Sequence, residues 1–130
     1  KQLDRVIAQK PDLVVIAFGM NDPVSSEQFQ KTNIEILTHL QKQIPQADLI
    51  FVSGMNNNPI WRDPTKIPGF REALRGIMRP NVILADITTP WEKLLTRKNF
   101  SDLSGNNVNH PNDFGHRLYS EILFSLFISP

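Results

Sequence analysis

Leu13-Val14-Val15-Ile16-Ala17-Phe18-Gly19-Met20-Asn21-Asp22 is the stretch from which the fold is read. Leu13 to Phe18 is a continuous apolar run rich in β-branched residues, bounded by Pro11 and Gly19. Such a run suits a strand buried on both faces of a parallel sheet. Gly19 ends the run, so Asn21 lies just past the carboxyl end of the strand. In open α/β sheets that end is where ligands bind.

The chain on either side carries the same pattern. Lys1 to Ile7 reads as the tail of a helix entering this strand. After Asn21-Asp22-Pro23, Ser25 with Gln28 forms a capping box that opens a helix. Phe29, Ile36, Leu37, Leu40 and Ile44 make its apolar stripe, and Pro45 stops it. Glu27, Lys31, Glu35 and Lys42 form its solvated face, and His39, in mid-helix, reads as structural. A second strand spans 48–54, and a polar loop from Met55 to Pro64 follows it, with Asn56, Asn57, Asn58 and Trp61 inside. Loops at strand ends carry binding groups, so Trp61 and the asparagines, Asn56 first among them, are candidates to line a substrate cleft. The competing reading is that the asparagines and prolines simply make turns. Thr65 to Met78 is a shorter helix, 81–86 a third strand, and Trp91, Leu94 and Leu95 mark a short helix over the sheet. Asp86, ending the third strand, is expected to cap or bond local backbone. Strands alternating with helices imply a parallel sheet with right-handed crossovers.

Composition bounds the function. The 130 residues are 40% hydrophobic and 21% charged, with a net charge of +1. That length supports one domain with a real core. The near-neutral charge argues against a nucleic-acid surface, where a basic excess is expected. No apolar run approaches the length of a membrane span. There is no cysteine, hence no disulfide framework and no thiolate chemistry. No set of His, Asp and Glu has metal-ligand spacing, so no metal and no cofactor is expected.

A second motif lies near the end of the chain: Asn106-Asn107-Val108-Asn109-His110-Pro111-Asn112-Asp113-Phe114-Gly115-His116. It reads as a loop that turns abruptly into a helix. Pro111 fits a first turn, and Asn112 or Asp113 can cap it. Phe114, Leu118, Ile122 and Leu126 follow at spacings of four, with Tyr119, Leu123 and Phe127 in the adjacent row, which predicts one broad buried face. That anchor would hold the His110 imidazole still beside a cleft.

The two motifs, in this order, resemble those of the SGNH hydrolases, the GDSL esterase/lipase family. Pro11 to Asp22 is similar to the family's third block, centred on Gly-x-Asn-Asp, and Asn107 to His116 to its fifth block, Asp-x-x-His-Pro followed by a helix. The resemblance implies a three-layer α/β/α fold with a parallel sheet, flavodoxin-like, of five strands in the order 2-1-3-4-5. Residues 1–130 would be the C-terminal portion of a single such domain, lacking its first strands. The family's first block, Gly-Asp-Ser with the nucleophilic serine, and its second block, with an oxyanion-hole glycine, do not occur here. They are expected upstream of Lys1.

What the resemblance implies chemically is ester hydrolysis by acyl transfer to serine. His110 would be the catalytic base, Asn21 would donate its side-chain N–H in the oxyanion hole, and Asp22 would hold the Asn21 loop. His116 reads as structural. The family's acid falls at Asn107, which would be the third catalytic residue. An amide in place of a triad carboxylate costs roughly 10⁴ in kcat in serine proteases, so a backbone carbonyl, Asp102 or Asp113 are alternatives for orienting His110. The implied substrates are small or carbohydrate-linked acetyl esters, and an extracellular or periplasmic location would suit them. Two other classes are weighed. One is a non-catalytic binding or scaffolding descendant of the fold; the other is a receiver-like phosphotransfer domain, for which Asp22 and Asp86 make a poor acidic cluster.

Overall fold

The computed structural model describes residues 2–128. Its sheet has three parallel strands in the order β1 (Leu13–Ile16), β2 (Asp48–Val52), β3 (Val82–Ala85). Leu13 pairs with Asp48 and Leu49 with Val82 at the start of the two ladders. Helix α1 (Gln2–Ala8) precedes β1, and α2 (Ser26–Gln43) and α3 (Lys66–Arg75) are the crossovers. Helices α4 (Thr88–Leu95) and α5 (Asp113–Ser125) follow β3, joined by a loop with a 3₁₀ turn at Phe100–Asp102. The chain is therefore α/β, as the alternation predicts.

The period-2 alternation of strand side chains divides the core into two layers. Ile16, Leu49, Phe51 and Val82 face α2 and α3, where Phe29, Leu37, Leu40, Ile67, Phe70 and Leu74 pack on them. Ile50, Val52 and Ala85 face the other way, against Trp91, Leu103 and the partly buried Leu118, Tyr119, Ile122 and Leu123. Helices thus lie on both faces of the sheet.

Local chemistry explains the ends. The Ser25 side chain caps α2 by accepting from the Gln28 amide at 3.2 Å. The capping box is only half formed: the Gln28 side chain donates forward to Thr32 Oγ1 and accepts no bond from the Ser25 backbone N–H. Asn33, inside the stripe read as apolar, is buried and donates to the Phe29 carbonyl at 2.8 Å. At α5, Asn112 is the cap, accepting from Gly115 N at 3.0 Å, and Pro111 lies before the helix, not in its first turn. Ser53 Oγ, at the end of β2, accepts from the Ile87 and Thr88 amides and so ties β2 to the start of α4. Asp86 accepts from Thr89 N at 3.0 Å, the local backbone bond expected of it.

Two expectations need correction. β1 is not buried on both faces: Leu13 is 37% and Val15 49% exposed. β1 is an edge strand, and α5 packs on the cluster of Ile50, Val52 and Ala85 from β2 and β3, which leaves Leu13 and Val15 of β1 open. The apolar face of α5 is also narrower than its periodicity predicts. Leu118, Tyr119, Ile122 and Leu123 pack on the core, while Phe114 is 46% and Phe127 60% exposed. The periodicity puts every apolar side chain of the stripe on one face, but the sheet is too narrow to cover both ends of that face.

Candidate active site

The loop that carries Asn21 is held from beneath. Gly19 has φ +107°, a conformation that side chains disfavour, and a Cβ there would meet Phe70 Cδ2 at 2.9 Å and Phe29 Cε2 at 3.1 Å. Those two rings stack at a centroid distance of 4.1 Å. Lys66 Nζ lies 5.5 Å over the Phe70 ring and donates to the Asp22 backbone carbonyl. Glycine is thus required at position 19 because the loop rests directly on the aromatic pair. The part of Asp22 bonded to Lys66 is its backbone carbonyl.

The loop that carries His110 is held by side-chain amides. Asn106 Oδ1 accepts from the backbone N–H groups of Val108 at 2.9 Å, Asn109 at 3.0 Å and His110 at 3.0 Å. The His110 carbonyl accepts from Gly105 N at 2.9 Å and Ser104 Oγ at 2.8 Å. Asn107 sits in the left-handed region at φ 56°. Asn58 Nδ2 donates to the Asn107 carbonyl at 2.8 Å and to its Oδ1 at 3.3 Å, and Asn58 N donates to the Val108 carbonyl at 2.9 Å. The backbone of His110 is therefore fixed on both sides, while its imidazole is exposed and makes no hydrogen bond among the described residues.

The two loops meet. Asn109 is 2% exposed, and its Nδ2 donates to Asn21 Oδ1 at 2.9 Å and to the Met20 carbonyl at 3.4 Å. Residues 88 positions apart thus join the end of β1 to the residue before His110. Asn107 does not share in this junction; its hydrogen bonds go to Asn58, none to His110. Asn56 is buried, and its Oδ1 has no partner in the structure. Trp61 is 63% exposed on the same loop. His39 and His116 are exposed. An apolar groove of about 350 Å³ adjoins the Asn21 loop, lined by Phe18, Asp22, Val24, Phe29, Asn33 and Ile36 among others.

Sequence reasoning missed Asn106 and Asn109, and it read Asn58 as a candidate cleft residue rather than as the tie to Asn107. The only available hint was the density of asparagine in both loops, which reads equally well as turn chemistry. It also missed Tyr119, whose hydroxyl accepts from Met55 N at 2.7 Å and joins α5 to the loop after β2. Burial pushes the Tyr119 phenol up to about 12, against the opposing pull of that N–H. Burial also opposes charge on Asp86, but the Thr89 amide and hydroxyl and the Arg75 guanidinium at 2.7 Å outweigh it and hold the carboxyl below its usual range.

No curated protein matches the chain. Among solved structures, an acetyl-xylooligosaccharide esterase of Geobacillus stearothermophilus superposes with a TM-score of 0.78 at 18% identity, over 92% of this chain and 61% of that one. A carbohydrate esterase family 3 protein of Talaromyces cellulolyticus gives 0.73 at 17%, over 94% and 59%. A member of the lipolytic protein G-D-S-L family from Veillonella parvula gives 0.79 at 15%, over 97% and 70%. The chain spans about three fifths of the length of the first two. Those likenesses show the fold, that of the SGNH hydrolases. No helix among the described residues is long and apolar enough to cross a membrane. The family model for GDSL-like lipases and acylhydrolases matches residues 1–118, and the chain belongs to that family.

Proposed function

We propose that the whole protein is a serine esterase acting on small or carbohydrate-linked acetyl esters, and that this chain supplies its base and an oxyanion-hole donor. The observation that carries the reading is the Asn109–Asn21 hydrogen bond, which brings the Gly-x-Asn-Asp loop to the His-Pro loop at the carboxyl end of the sheet. The nucleophilic serine would lie on a segment preceding Lys1 that adds to the open edge of β1, where Leu13 and Val15 are exposed. A strand added there ends beside Asn21.

In this mechanism a ring nitrogen of His110 takes the serine hydroxyl proton as the oxygen attacks the ester carbonyl, because a neutral hydroxyl is a poor nucleophile. The carbonyl π electrons move to oxygen, and Asn21 Nδ2 donates to that oxyanion. When the tetrahedral intermediate collapses, the bond to the alcohol breaks, and His110 returns the proton to the leaving oxygen. Water, deprotonated in turn by His110, then hydrolyses the acyl-serine. Trp61, exposed at the same end of the sheet, offers a stacking face to a sugar ring, while Asn56, proposed as its neighbour in substrate binding, is buried in the same loop. Asn107 stands at the family's acid position and holds the loop through Asn58.

A second reading, a non-catalytic binding or scaffolding protein, draws on the amide at Asn107. The two separate on one experiment. The protein extended upstream is treated with a fluorophosphonate, and the adduct is located by mass spectrometry. The esterase reading expects one labelled serine upstream of Lys1 and no labelling after His110→Ala. Absence of any adduct, in a protein that also fails to hydrolyse 4-nitrophenyl acetate, favours the binding reading.

A further inference from the structure

We infer that Asn106 and Asn109 form an amide relay that sets which end of the Asn21 side chain faces the cleft. The inference rests on the esterase reading for its consequence but on geometry for its content. An amide's oxygen and nitrogen are nearly alike in shape, so its orientation has to be enforced by partners of one polarity. At Asn106 that enforcement comes from the backbone. Three N–H groups, those of Val108, Asn109 and His110, converge on Asn106 Oδ1 at 2.9–3.0 Å. Three donors can be met only by an oxygen, so Asn106 is fixed with Nδ2 turned away from them. That Nδ2 lies 3.2 Å from Asn109 Oδ1, and a donor there demands the oxygen of Asn109. Asn109 Nδ2 is then committed to Asn21 Oδ1 at 2.9 Å, with the Met20 carbonyl as a second acceptor at 3.4 Å.

The last link has the chemical result. With Oδ1 engaged, Asn21, itself exposed, keeps Nδ2 free of hydrogen-bond partners among the described residues, as an oxyanion donor must be. A reversed amide would turn an oxygen toward a developing negative charge, converting stabilisation into repulsion. Asn109 is 2% exposed, so water is a poor substitute for its N–H. Asn106 and Asn109 are positioning residues: they touch no substrate and act through Asn21. The relay also runs through the backbone N–H of His110, so the turn that holds the base and the amide that holds the oxyanion share one hydrogen-bonded unit.

The test uses the protein extended upstream, with kcat, KM and thermal midpoint measured on 4-nitrophenyl acetate. Asn109→Asp is nearly isosteric and keeps the acceptor for Asn106 but removes the donor to Asn21. Asn106→Asp keeps the acceptor for the three backbone N–H groups and removes only the donor to Asn109. Losing one oxyanion donor costs roughly 100- to 1000-fold in kcat, which is the expectation for Asn21→Ala and the ceiling for the relay variants. Asn109→Asp is expected to lower kcat roughly 10- to 100-fold with little change in KM, and Asn106→Asp by less. Because the relay acts through Asn21, adding Asn109→Asp to Asn21→Ala should cost almost nothing further. A purely structural role would not give that non-additivity. The inference is overturned if Asn109→Asp leaves kcat unchanged while Asn21→Ala and His110→Ala keep their losses, or if its loss persists undiminished in the Asn21→Ala background. Should Asn109→Asp fail to fold, Asn106→Asp and its combination with Asn21→Ala decide by the same criteria. If neither Asn21→Ala nor His110→Ala lowers kcat, the esterase reading itself fails and the consequence drawn from the relay falls with it.

Discussion

Asn107 shows what a single residue can and cannot do at this site. It stands where the family's resemblance puts an acid, yet its amide oxygen accepts from Asn58 and its backbone is left-handed at φ 56°. Asparagine is among the side-chain-bearing residues that visit that region most readily, and its short polar side chain bonds locally there. The residue thus suits a loop corner. In the extended protein, Asn107→Ala is expected to lower kcat/KM by less than tenfold, about 1.4 kcal/mol of barrier, and Asn107→Gly, which relieves the backbone, by no more. A loss approaching that of His110→Ala, measured on one acetyl ester between pH 7 and 8, would make Asn107 itself the orienting group. At this scale the sequence made Asn21 and His110 legible, because each sits in a local motif at a strand end or before a helix. It could not make Asn109 legible. That side chain's partner is 88 positions away, and an amide's direction is set by contacts that no local pattern encodes.

Among the elements, α5 decides how firmly the His110 loop is anchored. Its first turn packs so closely that a Cβ on Gly115 would lie 2.8 Å from Trp91 Cη2 and 2.7 Å from Pro111 Cβ. Further along, Tyr119 meets Trp91 edge-on at 6.4 Å and accepts the Met55 N–H. Tyr119→Phe leaves that buried N–H without its acceptor and is expected to cost about 1–3 kcal/mol, read from denaturant unfolding. The phenol also makes stability depend on pH. Its folded value is raised to about 12 from an ordinary 10, so its contribution is complete below pH 10 and is lost as pH rises toward 12, where the unfolded chain ionises first. Unfolding curves between pH 9 and 12 should therefore steepen less with pH in Tyr119→Phe than in the parent; identical slopes would contradict the assignment. The strands and helices themselves were legible from periodicity, to within a few residues. The burial of β1 and the width of the α5 face were not, since a period reports which side chains share a face and says nothing of how much of that face the rest of the molecule covers.

Taken whole, the molecule is a narrow sheet with one apolar edge strand open. Leu13 and Val15 are 37% and 49% exposed on it, and exposed apolar edges invite pairing with another strand. If a preceding segment covers this face in the extended protein, Val15→Arg buries an unpaired charge and is expected to destabilise that protein by more than about 3 kcal/mol. The same substitution in residues 1–130 alone is expected to be nearly neutral. Equal effects in both, by thermal and denaturant unfolding, would place the covering segment elsewhere. The three-layer architecture was legible from the alternation of elements, and the family from two short motifs in order; the open apolar edge of β1 was legible through that family's strand order, which sets the absent first strand beside it. The central claim is that Asn21 and His110 serve one reaction. Its most direct measurement is kcat/KM of the extended protein on 4-nitrophenyl acetate for the parent, His110→Ala, Asn21→Ala and the double variant. The expected result is a loss of roughly 100- to 1000-fold for Asn21→Ala, a larger one for His110→Ala, and a double loss well below the product of the two. Parent-like activity in either single variant would contradict the claim.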